Sequence, residues 1–328
     1  MLSALKKVLK EENGSVVVLA AVALIIVLSV SGLVIDLGQA YVEAGNVQTA
    51  ADSAALAAGM QLPVSLSDSS AIQQVQLTAL EYVQKNGFDP SIVLSVELTD
   101  VYSDKYYGVK VNLSGNVPYY FGPIIGIDDT TVYKSAKTLL TPVTSTDAAV
   151  PLGIETGRLS TVLTECQGQH VIIKYGGGDG SGSFFGALDL DGVKGGGAKD
   201  FESWLAFGYG GELISGTVLP IEPGNMAGPT TSAFLTRYNQ CTHFPGQGGC
   251  TIDHFENDCP RVITIIAYTM VNSSSVKVEG FIPFVLESAN GYGEIVASKV
   301  TLLTNDGQAA GSLGGTGDYG IYKVRLVE

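Results

Sequence analysis

Residues Val16–Ile35, reading VVVLAAVALIIVLSVSGLVI, are apolar except for Ser29, Ser31 and Gly32. A helix of this length rises about 30 Å, the thickness of a bilayer's hydrocarbon core. No other stretch of the chain approaches it, so the sequence predicts a single membrane span. Lys6, Lys7 and Lys10 precede the span, and no Lys or Arg follows until Lys85. By the positive-inside rule, residues 1–14 belong in the cytoplasm and the long remainder outside. A secretory signal has a shorter apolar region of about 7–15 residues, which favours a retained anchor over cleavage near Gly38-Gln39-Ala40. Gly14 would suit a type IV prepilin cut, but Leu19 stands where such a leader carries Glu.

Past Asp36 the helical pattern continues as LGQAYVEAGNVQTAADSAALAAGMQLP. Leu37, Tyr41, Ala44, Val47, Ala51, Ala54, Ala58 and Leu62 recur at spacings of three and four, a seam along one helix face. Alanine has the best helix propensity, and its small side chain lets another backbone come close. Residues 15–62 are therefore expected to form one helix of about 50 residues, ended by Pro63. The seam suits two uses: packing on the chain's own outer domain, or packing on a helix of another protein. Sequence leaves both open.

These residues also carry a family resemblance. Gly14 with the apolar run, then Gly32-Leu33-Val34-Ile35-Asp36-Leu37-Gly38, Val47-Gln48 and Ala51-Asp52-Ser53-Ala54-Ala55-Leu56-Ala57-Ala58, resemble the TadG-like N-terminal module of Flp pilus-assembly proteins of the TadE/TadG type. The resemblance implies a bacterial envelope protein, anchored by its N-terminus and associated with tight-adherence pilus biogenesis, its partners being the membrane and other Tad assembly components. It implies no catalysis. Three outer phrases, Gly186–Gly192 (GALDLDG), Glu222–Thr230 (EPGNMAGPT) and Gly280–Phe284 (GFIPF), are similar to outer regions of TadE/G-like proteins of Gram-positive-type bacteria.

After the helix, Ser65–Ser70 reads as a polar loop and Ala71–Asn86 as an amphipathic helix with Ile72, Val75, Leu80 and Val83 apolar, stopped by Gly87. Strands are expected at Ile92–Leu98, Gly108–Leu113 and Thr131–Leu139. Val117–Ile127 (VPYYFGPIIGI) is expected to fill the core beneath the helix, with contact to the membrane surface as the alternative. Polar Thr141–Ala149 is the best boundary, dividing a small helix-plus-strands domain at 63–145 from a strand-rich extracytoplasmic domain at 146–328. In the latter, strands are expected at His170–Tyr175, Phe184–Leu190, Leu213–Leu219, Val262–Met270, Val276–Leu286, Glu294–Leu303 and Gly320–Val327. Short helices are expected at Lys199–Phe207 and Thr230–Tyr238. Strand and helix do not alternate regularly, so the class is α+β rather than parallel α/β.

Composition limits the function classes. The 328 residues include 41 Gly, only 15% charged residues and a net charge of −14. From Asp36 onward there are 30 acidic and 15 basic residues, so the exposed part is acidic and ill-suited to binding nucleic acid.

Four cysteines, Cys166, Cys241, Cys250 and Cys259, fit two disulfides in an exported domain, with three pairings open. Three of them lie with His243 and His254 inside CTHFPGQGGCTIDHFENDC, so a Cys₃His zinc set is the second reading, although the usual C-x₂₋₄-C spacing is absent. Asp179-Gly180-Ser181-Gly182-Ser183 matches the D-x-S-x-S of von Willebrand A-type metal sites. Gly176–Gly178 separates it from the preceding strand, however, and the alternating helices are missing, so a turn is expected. Asp189 and Asp191 beside Gly192 read as an Asp–Gly turn rather than a Ca²⁺ loop. The glycine clusters at 176–178 and 195–197 lack the Lys-Ser/Thr of a phosphate loop. With His170, His243 and His254 as the only histidines, and no G-x-S-x-G or H-E-x-x-H element, the chain reads as a non-enzyme with no implied cofactor. The expected function is a membrane-anchored, non-enzymatic component of Tad/Flp-type pilus assembly or a related surface structure, acting in a homo- or hetero-oligomer. A membrane-tethered ligand-binding or adhesion module with a metal site is the alternative.

Overall fold

A computed structural model describes residues 12–165, 170–174, 185–192, 197–222, 226–289, 295–304, 306–310 and 318–327. They form a mixed α+β fold with a long N-terminal helix and strand-rich sheets, divided into two compact units: Met1–Leu139 with Leu326–Glu328, and Leu140–Arg325.

In the first unit, helix α1 runs unbroken from Glu12 to Gly59, 48 residues. Its apolar part carries exposed Val16, Leu19, Ile25, Leu28 and Val34, the expected state of side chains that lipid would cover. Ser29 and Ser31 do not interrupt it, because each hydroxyl donates to the carbonyl four residues earlier (Ile25 and Val27, both 2.8 Å). Strand β1 (Val64–Ser65) leads to helix α2 (Ser69–Lys85), which begins where the Asp68 carboxylate accepts the Ala71 N–H at 3.0 Å. That cap starts the helix two residues ahead of the sequence expectation. Asn86 and Gly87, at φ +87°, end it.

Strands β2 (Val93–Tyr102), β3 (Lys105–Pro118) and β4 (Asp129–Pro142) follow, with β3 antiparallel to β1, β2 and β4. Tyr102 opposes Lys105 across a two-residue turn in which Ser103 and Asp104 both have positive φ, the twist that a tight hairpin requires. Val109, Val111, Leu113 and Val117 alternate along β3 and are all buried beneath the Ala-rich half of α1. Glycines set the close approach. A Cβ on Gly115 would lie 2.8 Å from Val47 Cγ2, and one on Gly59 would lie 2.5 Å from Thr138 Cγ2.

The second unit is built on a sheet in the order β7 (His170–Lys174), β13 (Ile295–Lys299), β12 (Ser275–Ala289), β11 (Val262–Asn272), β6 (Ala149–Glu155), β8 (Phe185–Ala187), with β10 (Val218–Pro220) on β12. All neighbours are antiparallel except β6 and β11. Short strands β5 (Ser145–Thr146) and β9 (Leu213–Ile214) pair with each other, as do β14 (Leu302–Leu303) and β15 (Ile321–Leu326). Helices α3 (Thr156–Glu165), α4 (Gly197–Phe207) and α5 (Ala227–Gln240) complete the unit. Phe201, Leu205 and Phe234 of α4 and α5 meet Ile263, Ile265, Ile282 and Phe284 in one core on the sheet. Arg237 of α5 is buried, its guanidinium donating to the α4 carbonyl of Leu205 and to Pro260 O at 3.1 Å. Burial pulls it down to about 10, so it is still charged at neutral pH and suits the negative C-terminal end of α4.

Two elements escape the sequence reading. Strand β6 contains Pro151 and Gly153, both poor strand formers. A register shift between its partners Thr264 and Ile266 accommodates the proline, and a Cβ on Gly153 would lie 2.6 Å from the Tyr268 ring. Helix α3 is short and carries three threonines and a serine, so its pattern is weak.

Candidate functional site

Two places in the described residues gather side chains with chemistry: the outer end of the apolar helix, and the cysteine-rich loop of the second unit.

At the first, Asp36 is only 3% exposed although it borders the apolar span. Its Oδ1 accepts the backbone N–H groups of Tyr120 (2.8 Å) and Phe121 (3.1 Å), and its Oδ2 accepts those of Phe121 (3.1 Å) and Gly122 (2.7 Å). Three amides thus replace the water a carboxylate would otherwise need. One turn back, Gly32 provides room: a Cβ there would lie 2.9 Å from Phe121 Cβ. The Gly and Asp of GLVIDLG therefore hold the β3–β4 connection, which contains a short 3₁₀ turn at Gly122–Ile125. Gly38 has open space around it, and nothing in the structure explains it.

This connection corrects an expectation. Val117 lies in the core, but Tyr120 (70% exposed), Ile124 (81%) and Ile125 (73%) project outward, with Ile127 also exposed. The hairpin needs only its strand residues beneath α1. Beyond Pro118 the chain leaves the sheet, and Asp36 fixes the turn beside the end of the apolar stretch of α1.

Farther along α1, Val47, Ala51, Ala54 and Ala58 of the seam are fully buried, and Leu62 beyond the helix is 3% exposed. Ala44 is half-buried, while Leu37 and Tyr41 are exposed. Ala50 and Ala55, outside the seam as read from sequence, are fully buried as well. The buried stripe packs on β3 and α2 of the same chain, and Gln48 joins it to β4 by donating to Ser135 O at 3.0 Å.

In the second unit, Cys241, Cys250 and Cys259 are free thiols. Together with His243 they offer four ligand atoms lying within 4.8 Å of one another. The Cys250 N–H donates to Cys241 Sγ and the Arg261 N–H to Cys259 Sγ, both at 3.4 Å. Burial raises the Cys259 thiol to about 12. Burial also acts to raise Cys241, but hydrogen bonds from Cys250 and Cys259 outweigh it and leave that thiol at about 7. Nδ1 of His243 is shielded and has no hydrogen-bond partner among the described residues. His254 stands beside the group, its ring edge-on to Phe244 with centroids 4.6 Å apart and its Nδ1 3.3 Å from Thr251 Oγ1.

Of the other candidates, Asp189 accepts the Gly192 N–H at 3.2 Å, an Asp–Gly turn with Gly192 at φ +68°. Burial, a hydrogen bond from Asp191 and its charge raise the Asp189 carboxyl. His170 lies on β7. Cys166, the Asp179-Ser181-Ser183 set, Gly176–Gly178 and the Lys6–Lys10 cluster lie outside the described residues.

No curated protein and no solved structure matches the chain significantly. One family model does, and it covers the helix whose Gly32, Asp36 and alanine stripe have just been placed: residues 14–61 match Tad, described as "Putative Flp pilus-assembly TadE/G-like".

Proposed function

We propose that this chain is a single-span, N-in envelope protein that serves as a non-enzymatic component of Tad/Flp-type pilus assembly. The observation that carries the reading is the coincidence of the family match at 14–61 with a helix whose residues 16–35 are almost wholly apolar and, apart from Gly32, exposed. The span anchors the chain, and its outer continuation is the spine on which β3, β4 and α2 fold. The β3–β4 connection rests at the outer headgroup boundary. Tyr120, Ile124 and Ile125 are the aromatic and aliphatic residues that such a boundary accepts, and 117–127 contains no charge. The described alanine stripe is occupied within the chain, so surfaces other than that stripe contact partner proteins.

Orientation and role are tested separately. Single cysteines at Ser67 and Ser3, in a chain lacking its own, report on the two sides of the span. A membrane-impermeant maleimide should label Ser67→Cys on intact cells and Ser3→Cys only after lysis; the reverse pattern overturns the N-in reading. Deleting the chain should abolish surface pili, and the full chain should restore them. Unchanged piliation would overturn the assembly role and leave a tethered binding module in its place.

A further inference from the structure

We infer that Cys241, His243, Cys250 and Cys259 form a structural zinc site that ties the loop between α5 and β11 to the sheet of the second unit. A tetrahedral zinc centre with Zn–S bonds of about 2.3 Å and Zn–N bonds of about 2.0 Å places its ligand atoms roughly 3.5–4 Å apart. The four atoms here, all within 4.8 Å of one another, need to close by no more than about an ångström to meet one ion.

The surroundings argue for an ion in three further ways. The Nδ1 of His243 is shielded from solvent without a partner among the described residues, a cost that coordination through Nδ1 removes. The N–H groups of Cys250 and Arg261 point at Cys241 Sγ and Cys259 Sγ, and such bonds stabilise sulfur most when it carries negative charge. A zinc ion with three thiolates and a neutral imidazole has a net charge of −1. The buried Arg261 supplies the balancing cation at the same loop. Its Nη1 donates to Gly248 O at 2.8 Å and Cys250 O at 3.0 Å, its Nε donates to Tyr238 O at 3.2 Å, and the guanidinium stacks 3.7 Å from the Tyr238 ring. Arg261 therefore fixes the carbonyl frame of the turn that presents Cys250, a positioning role.

The loop has reason to need such a staple. Phe244–Cys250 contains three glycines, Gly246, Gly248 and Gly249, all with positive φ, and it has little apolar surface of its own. Cys250 and Cys259 are the buried residues that the 241–261 loop adds to the small cluster with Val285 and Val300, with Phe244, Ile252 and Phe255 partly buried against it. Zinc binding releases the three thiol protons and closes loops of nine residues each, from 241 to 250 and from 250 to 259, on one ion. The site has four protein ligands and no open position, so it is structural rather than catalytic.

The test uses the full chain purified in detergent without chelator. Elemental analysis should find about one zinc per chain, and an alkylating reagent should reach Cys241, Cys250 and Cys259 only after zinc is withdrawn by a strong chelator. Replacing the metal with Co²⁺ should produce thiolate charge-transfer bands and the ligand-field bands of a tetrahedral centre. His243→Ala should reduce bound zinc at least tenfold, and His243→Cys should restore it, since a Cys₄ set also suits zinc. This pair guards against misfolding, because His243 is only half-buried and a merely structural histidine would not be rescued by cysteine. Metal-free protein whose peptide map shows disulfides among these cysteines, or zinc content unmoved by His243→Ala, would overturn the site.

Discussion

The two units solve the same packing problem with opposite side chains. In the first, a long helix lies on a sheet through Ala50, Ala51, Ala54, Ala55 and Ala58, with Gly59 and Gly115 at the closest points. In the second, α4 and α5 cover the sheet by packing Phe201 and Phe234 against Phe284 of β12, all less than 2% exposed. Small residues gain little from burying their own surface but allow a backbone to approach closely, so dispersion contacts run along the whole interface. Large aromatics instead contribute much burial at a few points. The first design tolerates no added volume, and the second tolerates no lost volume.

Substitutions sharpen this contrast. The largest effect is expected from Phe284→Ala, which leaves a cavity between sheet and helices and should cost about 3–5 kcal/mol. Denaturant unfolding, with Trp204 of the second unit as the fluorescent probe, should report the loss there. If Phe284→Ala proved nearly neutral, the aromatic core would not be the determinant of that unit. Ala54→Leu reverses the logic by overfilling the first unit, at an expected cost of about 1–3 kcal/mol. Limited proteolysis should reveal cleavage in β2–β4 while carbonate extraction still finds the chain in the membrane. A stable Ala54→Leu protein would mean that the stripe has room to spare. The smallest effect has the opposite sign. Asp104 has φ +59° in the β2–β3 turn, where Asp104→Gly should remove the strain and add up to about 1 kcal/mol. A raised unfolding midpoint of the first unit checks it.

The legibility of the site follows the same division. The alternation of Val109, Val111 and Leu113 and the three-and-four spacing of Val47, Ala51, Ala54 and Ala58 are one-dimensional signals, and the elements they imply are present. The 119–127 connection was not legible, because an apolar run reads alike whether it lies in a core or against a bilayer. Only the Asp36 carboxylate, 84 to 86 positions away in sequence from the amides it binds, fixes where the turn sits on the helix. Strand β6 was hidden because Pro151 and Gly153 suit a register shift and the Tyr268 ring rather than strand propensity.

By itself, then, the sequence determined the apolar helix, its Ala-rich continuation, the α+β class and the TadE/G-like resemblance of residues 14–61, since length, period and local motif need no partner. Tertiary structure alone decided that Gly32 and Asp36 clasp the β3–β4 connection, that the alanine stripe is covered by the chain's own sheet and α2, and that three cysteines and His243 converge. Each of these depends on atoms distant in sequence meeting at a few ångströms, a relation that composition and spacing do not carry.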